Sequence, residues 1–354
     1  MQLKKTNLKQ GFTLIEMLVV LGIVVTLVAL LVPRIRTIND QRGVREASRV
    51  VGSKFATASQ RAVIDGIAGV RIERNPNFLV DSGLSELLQY ASTRISLLRE
   101  VPNYTGDSLN ATATVVEPRL DQPVVSIPVP IEQASLQIVR VGDSISLNNS
   151  NIRFRIVGLA LNAGQLRLTL DASDYIPLPP GSSASIPFVI HRLPRVLRSS
   201  RTDLPGNFIV DLRYSGCLTN ATSGSGGRIN VFEYDPAGNF VNADIDVIFD
   251  GSGGVDSVVY RKIFADGTLS SVSFIPQGPI NLFVVEAPDE PAAELTLADG
   301  NALWVNCSNA TGSTNVGNHF PVPDGSISPT ANDLAASAII DNARSGNNTA
   351  SANQ

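Results

Sequence analysis

One continuous apolar stretch constrains this chain more than any other feature. It runs from Phe12 to Val32, and its 21 residues include a single charged side chain, Glu16. As a helix this stretch is about 31 Å long, which matches the hydrocarbon core of a bilayer. A cleaved secretory signal has a shorter apolar core followed by small residues, whereas "PRIRTIND" follows here. The sequence therefore predicts that the stretch stays with the protein as a transmembrane helix.

Charge is distributed unevenly along the chain. Up to Pro76 there are 12 Lys and Arg against 5 Asp and Glu, and the remainder has 16 against 27. A basic stem thus precedes an acidic body. Arginines flank the apolar stretch, and no aromatic residues alternate with them, so we expect no nucleic-acid partner. Basic residues lie on both sides of the stretch, and charge alone leaves its orientation open.

The residues around the start of the apolar stretch form a specific motif. Lys9 and Gln10 precede "GFTLIE", residues 11–16, and Pro33 lies 21 residues after Phe12. This pattern resembles the type III signal of type IV pilins and type II secretion pseudopilins. The resemblance implies that a prepilin peptidase and N-methyltransferase cuts after Gly11 and methylates the new terminus at Phe12. It also implies that Pro33 bends the helix where the helix leaves the membrane.

The same resemblance implies a location and a set of partners. Residues 1–11 would be a cytoplasmic leader, residues 12–32 would cross the inner membrane once, and the body would be periplasmic. The expected partners are the processing enzyme, other pilins or pseudopilins in a filament, an inner-membrane assembly platform and membrane lipid.

Glu16 needs an explanation, because a carboxylate inside a membrane is costly and is a functional candidate by default. Cleavage after Gly11 creates a free amine at Phe12, four residues away. The two charges attract each other much more strongly in a low-dielectric medium than in water. In the pilin family the pairing joins neighbouring subunits. The alternative is a Glu16 that stays wet near the lipid headgroups.

The helix is expected to continue beyond the membrane. Apolar residues recur at steps of three and four from Ile35 to Ala62, with arginines between them, which indicates an amphipathic helix. Asp65-Gly66 supplies a helix end. We therefore predict one long helix over 12–66, half in lipid and half packed on the body.

Beyond the helix the chain reads mostly as short strands bounded by Gly, Pro, Asn and Asp. "AGVRIER" is the first, and "GNFIVDLRYSG", "ADIDVIFDGSG" and "GPINLFVVE" come later. Their order resembles the body of GspH/FimT-type minor pseudopilins. Residues 67–79 and 200–318 are assigned to that body. The expected fold class is α+β: a pilin-like fold with one long N-terminal helix packed on an antiparallel sheet.

Residues 80–199 depart from this compact pattern. Their alternating runs include "IRFRIVGLAL" and "IPFVIH", and structureless loops of such length are rare in compact domains. We predict an inserted, mainly β subdomain. Residues 319–354 are rich in Asn, Ser, Ala and Gly, and we expect that tail to be disordered.

The sequence offers little catalytic chemistry. The only histidines are His191 and His319, and neither lies in a nucleophile elbow, a phosphate loop or a zinc-protease motif. We expect no enzyme and no cofactor. Asp250 and Asp256 in "FDGSGGVDS", to which "NADIDVIFD" adds Asp244 and Asp246, carry oxygen ligands that suit calcium. A tight hairpin turn needs the same kinds of residue, and the turn is favoured.

The two cysteines, Cys217 and Cys307, allow one disulfide. Disulfides persist outside the cytoplasm, and an even count leaves no spare thiol. Two buried thiols within a sheet are the equal alternative.

Two functions follow from these observations. The first is a structural subunit, a minor pseudopilin or pilin of a type II secretion pseudopilus or type IV pilus-like filament, assembled through its N-terminal helix. The alternative is a membrane-anchored extracytoplasmic enzyme or ligand-binding protein with its site in the 80–199 insertion.

Overall fold

In the residues that the computed structural model describes, the chain forms one long helix, a short 3₁₀ helix at Arg198–Ser200 and 18 strands. The helix, α1, spans Leu14–Asp65 and has 52 residues. The described residues are 14–74, 91–107, 111–117, 123–128, 138–162, 165–171, 185–218, 228–230, 240–264, 269–287 and 301–318. The predicted leader at 1–11, the residue Phe12 and the predicted disordered tail at 319–354 lie outside them.

The strands in the described residues are numbered here in chain order. They are β1 (Ile67–Arg74), β2 (Ala91–Arg99), β3 (Thr112–Glu117), β4 (Val124–Pro128), β5 (Ser144–Leu147), β6 (Phe154–Asn162), β7 (Gln165–Leu170), β8 (Ser185–His191), β9 (Arg195–Val196), β10 (Thr202–Asp203), β11 (Phe208–Leu218), β12 (Arg228–Asn230), β13 (Phe240–Asp250), β14 (Val255–Phe264), β15 (Leu269–Phe274), β16 (Ile280–Glu286), β17 (Leu303–Cys307) and β18 (Thr314–Asn318).

The expected α+β class is wrong. Strands make up 51% of the structure and helices 23%, so the fold is mainly β. The strands form a 12-stranded antiparallel sheet and a separate closed barrel. The expected class counted the helix as an equal partner of the sheet, whereas strands of the sheet and of the barrel make up most of the described structure beyond α1.

The second half of α1 packs on the large sheet through a narrow apolar stripe. The stripe residues are at most 3% exposed, and they are Val44, Ala47, Val51, Phe55, Ala58 and Ala62. Steps of three and four residues keep them on one side of the helix. The helix ends where Gly66 takes a φ of +89° and its N–H donates to the Ala62 carbonyl at 2.8 Å, a left-handed cap that suits glycine.

The sheet has the strand order β15-β14-β13-β1-β2-β11-β16-β17-β18. The short strands β9 and β10 pair with β2, and β12 pairs with β11. Side chains alternate between the two faces. Ala68, Val70 and Ile72 of β1 therefore face the core around α1, in which all three are buried.

The sheet curls around the helix until two of its distant turns touch. The turn between β13 and β14 meets the turn between β17 and β18, where the Val255 N–H donates to the Asn309 carbonyl at 2.7 Å. Ser59 of α1 joins them, because its hydroxyl donates to the Gly253 carbonyl at 2.7 Å. The helix therefore lies on the concave face of the sheet, and the two turns that meet beside it are hydrogen-bonded to each other.

The barrel lies within the predicted insertion. Its strands close in the order β3-β4-β7-β6-β5-β8. Its interior is filled by its own apolar cluster, which includes Phe154, Leu168, Phe188 and Ile190 and is separate from the core around α1. A small barrel whose interior side chains fill the space has a packed core rather than a channel.

The barrel packs on the face of the sheet that points away from the helix. Leu98, Ile248 and Val259 lie on that face by alternation, and all are at most 2% exposed. Arg155 of β6 reaches the outermost strand of this side of the sheet, where it donates to the carbonyl and, at 3.2 Å, to the hydroxyl of Ser271. The order of layers is thus helix, sheet, barrel.

A buried carboxylate ties the barrel to the strand that leaves it. Asp143, fully buried, accepts bonds from the Leu193 N–H at 2.9 Å and from the Arg140 N–H at 2.8 Å. It also pairs with the Arg195 guanidinium at 2.7 Å. Burial raises the pKa of Asp143, and Arg195 and the two backbone donors oppose that rise. These bonds fix the direction in which β9 leaves the barrel and joins β2.

The contact between the two turns predicts different costs for two glycine substitutions. A Cβ at Gly312 would lie 2.2 Å from the Gly253 carbonyl oxygen, whereas a Cβ at Gly66 would meet nothing within 4 Å. Both residues have positive φ, so each change to Ala costs about 1–2 kcal/mol of backbone strain. Overlap adds roughly 1–3 kcal/mol at Gly312 alone. Urea unfolding of Gly312→Ala beside Gly66→Ala measures the difference, and equal losses would show that the turn yields freely.

Candidate functional site

The first half of α1 exposes apolar side chains all around its circumference. Every residue from 14 to 29 is exposed, with Leu14 at 83%, Ile15 at 70% and Met17 at 63%. A helix that is apolar on all sides is stable only when lipid or other protein surrounds it. This segment therefore needs an apolar environment that the described part of the chain does not supply.

Glu16 lies in the first turn of α1 and is exposed among these apolar side chains. The N-terminus of a helix carries partial positive charge, so a carboxylate is favourable there. Its predicted partner, the amine of Phe12, and the cleavage site at Gly11 lie outside the described residues. Assembly by amine–carboxylate pairing stays a prediction.

The helix is continuous through Pro33, the predicted bend. Proline removes one backbone hydrogen bond within a helix. Within the part of the chain that the structure describes, no helix is both long enough and apolar enough to cross a membrane. The predicted transmembrane segment at 12–32 is therefore not confirmed.

A row of charged side chains crosses the barrel-facing side of the sheet. Arg71 donates to both carboxylate oxygens of Asp246, at 2.6 and 2.7 Å, and lies 3.7 Å from a carboxylate oxygen of Asp244. Glu73, which is also on β1, accepts a hydrogen bond from the hydroxyl of Ser96 on β2 and, at 3.2 Å, one from the Arg201 guanidinium. Arg71, Glu73 and Asp246 are nearly buried.

Burial and charge act in opposite directions on these groups. Burial would lower the pKa of Arg71, but its bidentate bond with Asp246 and the nearby charge of Asp244 raise it overall. Burial raises the pKa of Asp244, the Arg71 charge lowers it, and the charge of Asp246 adds to the rise. The arrangement keeps Arg71 charged, and it links strands β1, β2 and β13 to one another. This row was not predicted, because Asp244 and Asp246 were considered only as calcium ligands, although the alternation in "VRIER" puts Arg71 and Glu73 on one face.

The calcium candidates have other partners: Asp244 and Asp246 pair with Arg71, and the remaining two contact neighbouring serines. One carboxylate oxygen of Asp250 accepts from the Ser252 backbone N–H at 2.9 Å and from the Ser252 hydroxyl. Asp256 accepts from the Ser257 hydroxyl at 3.0 Å. Among residues with a described structure, no group of three His, Cys, Asp or Glu side chains could hold a metal ion.

One pair on the barrel wall has the composition of a nucleophile and a base. The Ser146 hydroxyl lies 3.1 Å from Nε2 of His191. Burial and the charge of Arg153 lower the pKa of His191, which favours neutral imidazole. However, Ser146 is only 5% exposed, so a substrate could not reach its hydroxyl in this arrangement. His319 lies outside the described residues.

The candidate disulfide between Cys217 and Cys307 is absent, and both residues are buried thiols. Gly216 pairs with Asn281, which puts Cys217 opposite Ile280, and Cys307 pairs with Ile280 from the other side. The two cysteines are therefore two strand spacings apart, roughly 9–10 Å. That separation exceeds the Cα distance of a disulfide.

Comparison with protein families identifies the N-terminal segment. Residues 6–32 match the model of the prokaryotic N-terminal methylation motif. The match includes Gly11, Phe12 and Glu16 and continues into the exposed apolar half of α1. The match supports a prepilin-like protein.

The comparisons add no finer assignment. No curated protein and no solved structure matches the chain. The resemblance of the body to GspH/FimT-type pseudopilins is not confirmed. The methylation motif supports processing by a prepilin peptidase and assembly with other pilins, and it supports a type IV pilin-like or pseudopilin subunit in general terms.

The row of charges predicts a large difference between two carboxylate substitutions. Asp246→Ala leaves Arg71 buried with its main partner removed, and we expect a loss of about 3–5 kcal/mol in the free energy of unfolding. Asp203→Ala removes an exposed ion pair with Arg94. The Asp203 side chain is 69% exposed, so this change should cost at most about 1 kcal/mol. Chemical denaturation of both variants measures the two losses. Similar losses would contradict a structural role for the buried pair.

The buried thiols predict slow alkylation in the folded protein. Burial raises the pKa of Cys307 to about 12, so the reactive thiolate is scarce at neutral pH. Two thiols should react with a maleimide after denaturation, and neither should react on the same timescale in the native state. A reductant should leave the melting temperature unchanged. A fall in that temperature on reduction would show a disulfide after all.

Proposed function

We propose that this chain is a pilin or minor pseudopilin, a structural subunit of a type II secretion pseudopilus or type IV pilus-like filament. A prepilin peptidase removes residues 1–11 and methylates Phe12. The subunit waits in the inner membrane with its body in the periplasm, and it enters the filament through α1. The role is structural rather than catalytic.

One observation carries the proposal: the methylation motif at 6–32 runs directly into a helix with an exposed apolar half and a buried half. The first half needs lipid or neighbouring helices, and the second half is fixed in the body. A filament subunit needs both properties, since it must leave lipid without unfolding. The barrel then travels as a folded module on the outer side of the sheet.

Intact mass of the membrane-extracted protein separates this function from the alternative. A filament subunit should have lost residues 1–11 and gained one methyl group. An uncut, unmethylated N-terminus would favour a membrane-anchored enzyme or ligand-binding protein with its site in the 80–199 insertion.

Glu16→Gln should separate processing from assembly. Cleavage should continue because Gly11 and Phe12 are unchanged, and insertion should continue because a neutral amide is no harder to bury than a charged carboxylate. Assembly should fail, because the Phe12 ammonium of a neighbour would enter a low-dielectric bundle unpaired, at a cost of several kcal/mol. Processed and crosslinked-filament fractions are compared with those of the unsubstituted chain.

The matched control is Thr26→Val, a change on the same apolar segment that removes only a hydroxyl bonded to the Gly22 carbonyl within the helix. It should leave both fractions near their original values. Normal crosslinking of the Glu16→Gln variant would show that Glu16 is a tolerated polar residue near the headgroups.

A further inference from the structure

The side of α1 that is turned away from the sheet carries a cluster of arginines. Arg42, Arg45 and Arg49 are exposed, and steps of three and four residues put them on one side of the helix. We call these three arginines the basic face. No ion pair to any of them is found within the described residues, and the one acidic side chain between them is Glu46, which is also exposed. The basic face therefore has a net positive charge that the described part of the chain does not neutralise.

The positive charge is confined to the end of this side that is nearer the apolar half of α1. Farther along the helix the same side continues through Ser53 and Gln60, which are exposed and uncharged, and ends at Val63, which is 57% exposed. Contact with water alone requires polar residues along the whole of such a face and gives no reason to concentrate cations at one end. The distribution indicates an anionic partner beside the end that the apolar half adjoins.

The proposed function places this charge on the less usual side of a membrane. From Pro33 to Arg49 the sequence has five arginines and two acidic residues. In the proposed function these residues are periplasmic, whereas Lys and Arg beside a membrane segment are normally retained in the cytoplasm. Departures from a local rule are expected where a function requires them. An anionic membrane surface is the partner that lies closest to a segment that follows its own anchor directly.

Distance along the helix determines which arginines reach the lipid. Arg42 lies about 15 Å and Arg49 about 26 Å beyond Val32, the end of the apolar stretch, at a rise of 1.5 Å per residue. The headgroup layer is about 5–8 Å thick on each side of a bilayer, and the field of its charges decays over about 8 Å at physiological ionic strength. An upright helix therefore holds Arg42 at the edge of that field and Arg49 beyond it. All three arginines reach the headgroups only when α1 inclines toward the membrane on this side.

We propose that the basic face lies on the phosphate groups of anionic phospholipids while the subunit is in the membrane, and that this contact holds α1 and the body in an inclined position. Guanidinium groups bind phosphate oxygens through two parallel hydrogen bonds. All three arginines are exposed, so the described part of the body does not separate them from a surface on that side. Pro33 removes one backbone hydrogen bond, which allows the helix to bend just beyond the apolar stretch. The inference rests on the proposed function for the position of the body at a membrane.

The full-length chain in lipid vesicles tests the contact. A fluorophore on Ser53→Cys reports the inclination, because position 53 lies on the same side of α1 and is about 32 Å beyond Val32 along the helix. Its quenching by a nitroxide attached to lipid headgroups is measured in vesicles of phosphatidylcholine and in vesicles that also contain phosphatidylglycerol. Quenching should be strong only with the anionic lipid. Cys217 and Cys307 are buried, so labelling of the native protein is directed to position 53.

Removing the charge of the basic face should abolish this dependence on phosphatidylglycerol. The variant combines Arg42→Gln, Arg45→Gln and Arg49→Gln. One arginine beside an anionic surface changes the equilibrium about fivefold, so the loss of three should shift the equilibrium between inclined and upright positions by about 100-fold. Quenching in the anionic vesicles should then fall to the level seen with phosphatidylcholine alone.

A matched variant controls for the change of net charge. Arg99→Gln, Arg153→Gln and Arg198→Gln remove three exposed arginines of the body, and no ion pair to them is found in the described structure. This triple change should leave the quenching as it is in the chain that carries only the label. Sodium chloride and inorganic phosphate at equal ionic strength should reverse the quenching equally, because both act by screening.

Quenching that requires both phosphatidylglycerol and the basic face supports the inference. Equal quenching in the two kinds of vesicle, or none in either, overturns it. Reversal by inorganic phosphate at an ionic strength at which chloride has no effect would show a site for a free anion, and would also overturn it. If the triple variant of the basic face does not fold, the comparison of the two lipids in the chain that carries only the label decides.

The vesicle measurement does not depend on processing or assembly, so its failure is distinct from failure of the proposed function. Processed, filament-forming protein without lipid-dependent quenching overturns the lipid contact and leaves the filament function intact. Lipid-dependent quenching in a chain whose N-terminus is never cut in cells overturns the filament function and leaves the contact of the basic face with anionic lipid.

Discussion

The rest of this structure depends on how the two halves of helix α1 are buried, because each half needs a different environment. From Val44 to Ala62 the protein supplies the burial itself, by curling a sheet around the helix until the turn at Gly253 and the turn at Gly312 meet over Ser59. From residue 14 to residue 29 the described part of the chain supplies none. The first half is therefore stable only in lipid or against other helices, while the second half gives the body a rigid axis that does not depend on where the first half lies.

The barrel covers apolar residues of the sheet, such as Leu98 and Ile248, and is also attached by directional polar contacts. Its apolar cluster and the cluster around α1 are distinct. At the junction, the Asp143 carboxylate and the Arg155 guanidinium each make several directional bonds. Buried polar contacts add little net stability compared with apolar packing, but their bonds are satisfied in one geometry only. The barrel, which has its own apolar cluster, is thus held in one orientation on the outer face of the sheet.

Local patterns in the sequence correspond to local features of the structure. The features that depend on pairing between distant segments could not be predicted from the sequence. Spacing of apolar residues indicated a helix over 12–66, and the structure places it at Leu14–Asp65. Asp250 was interpreted as a turn residue, and it holds the β13–β14 turn through Ser252. By contrast, closure of six strands into a barrel was not predicted, because it depends on pairings between distant segments, such as β3 with β8. The register that separates Cys217 from Cys307 by the intervening Ile280 is likewise a product of pairing, which composition does not encode.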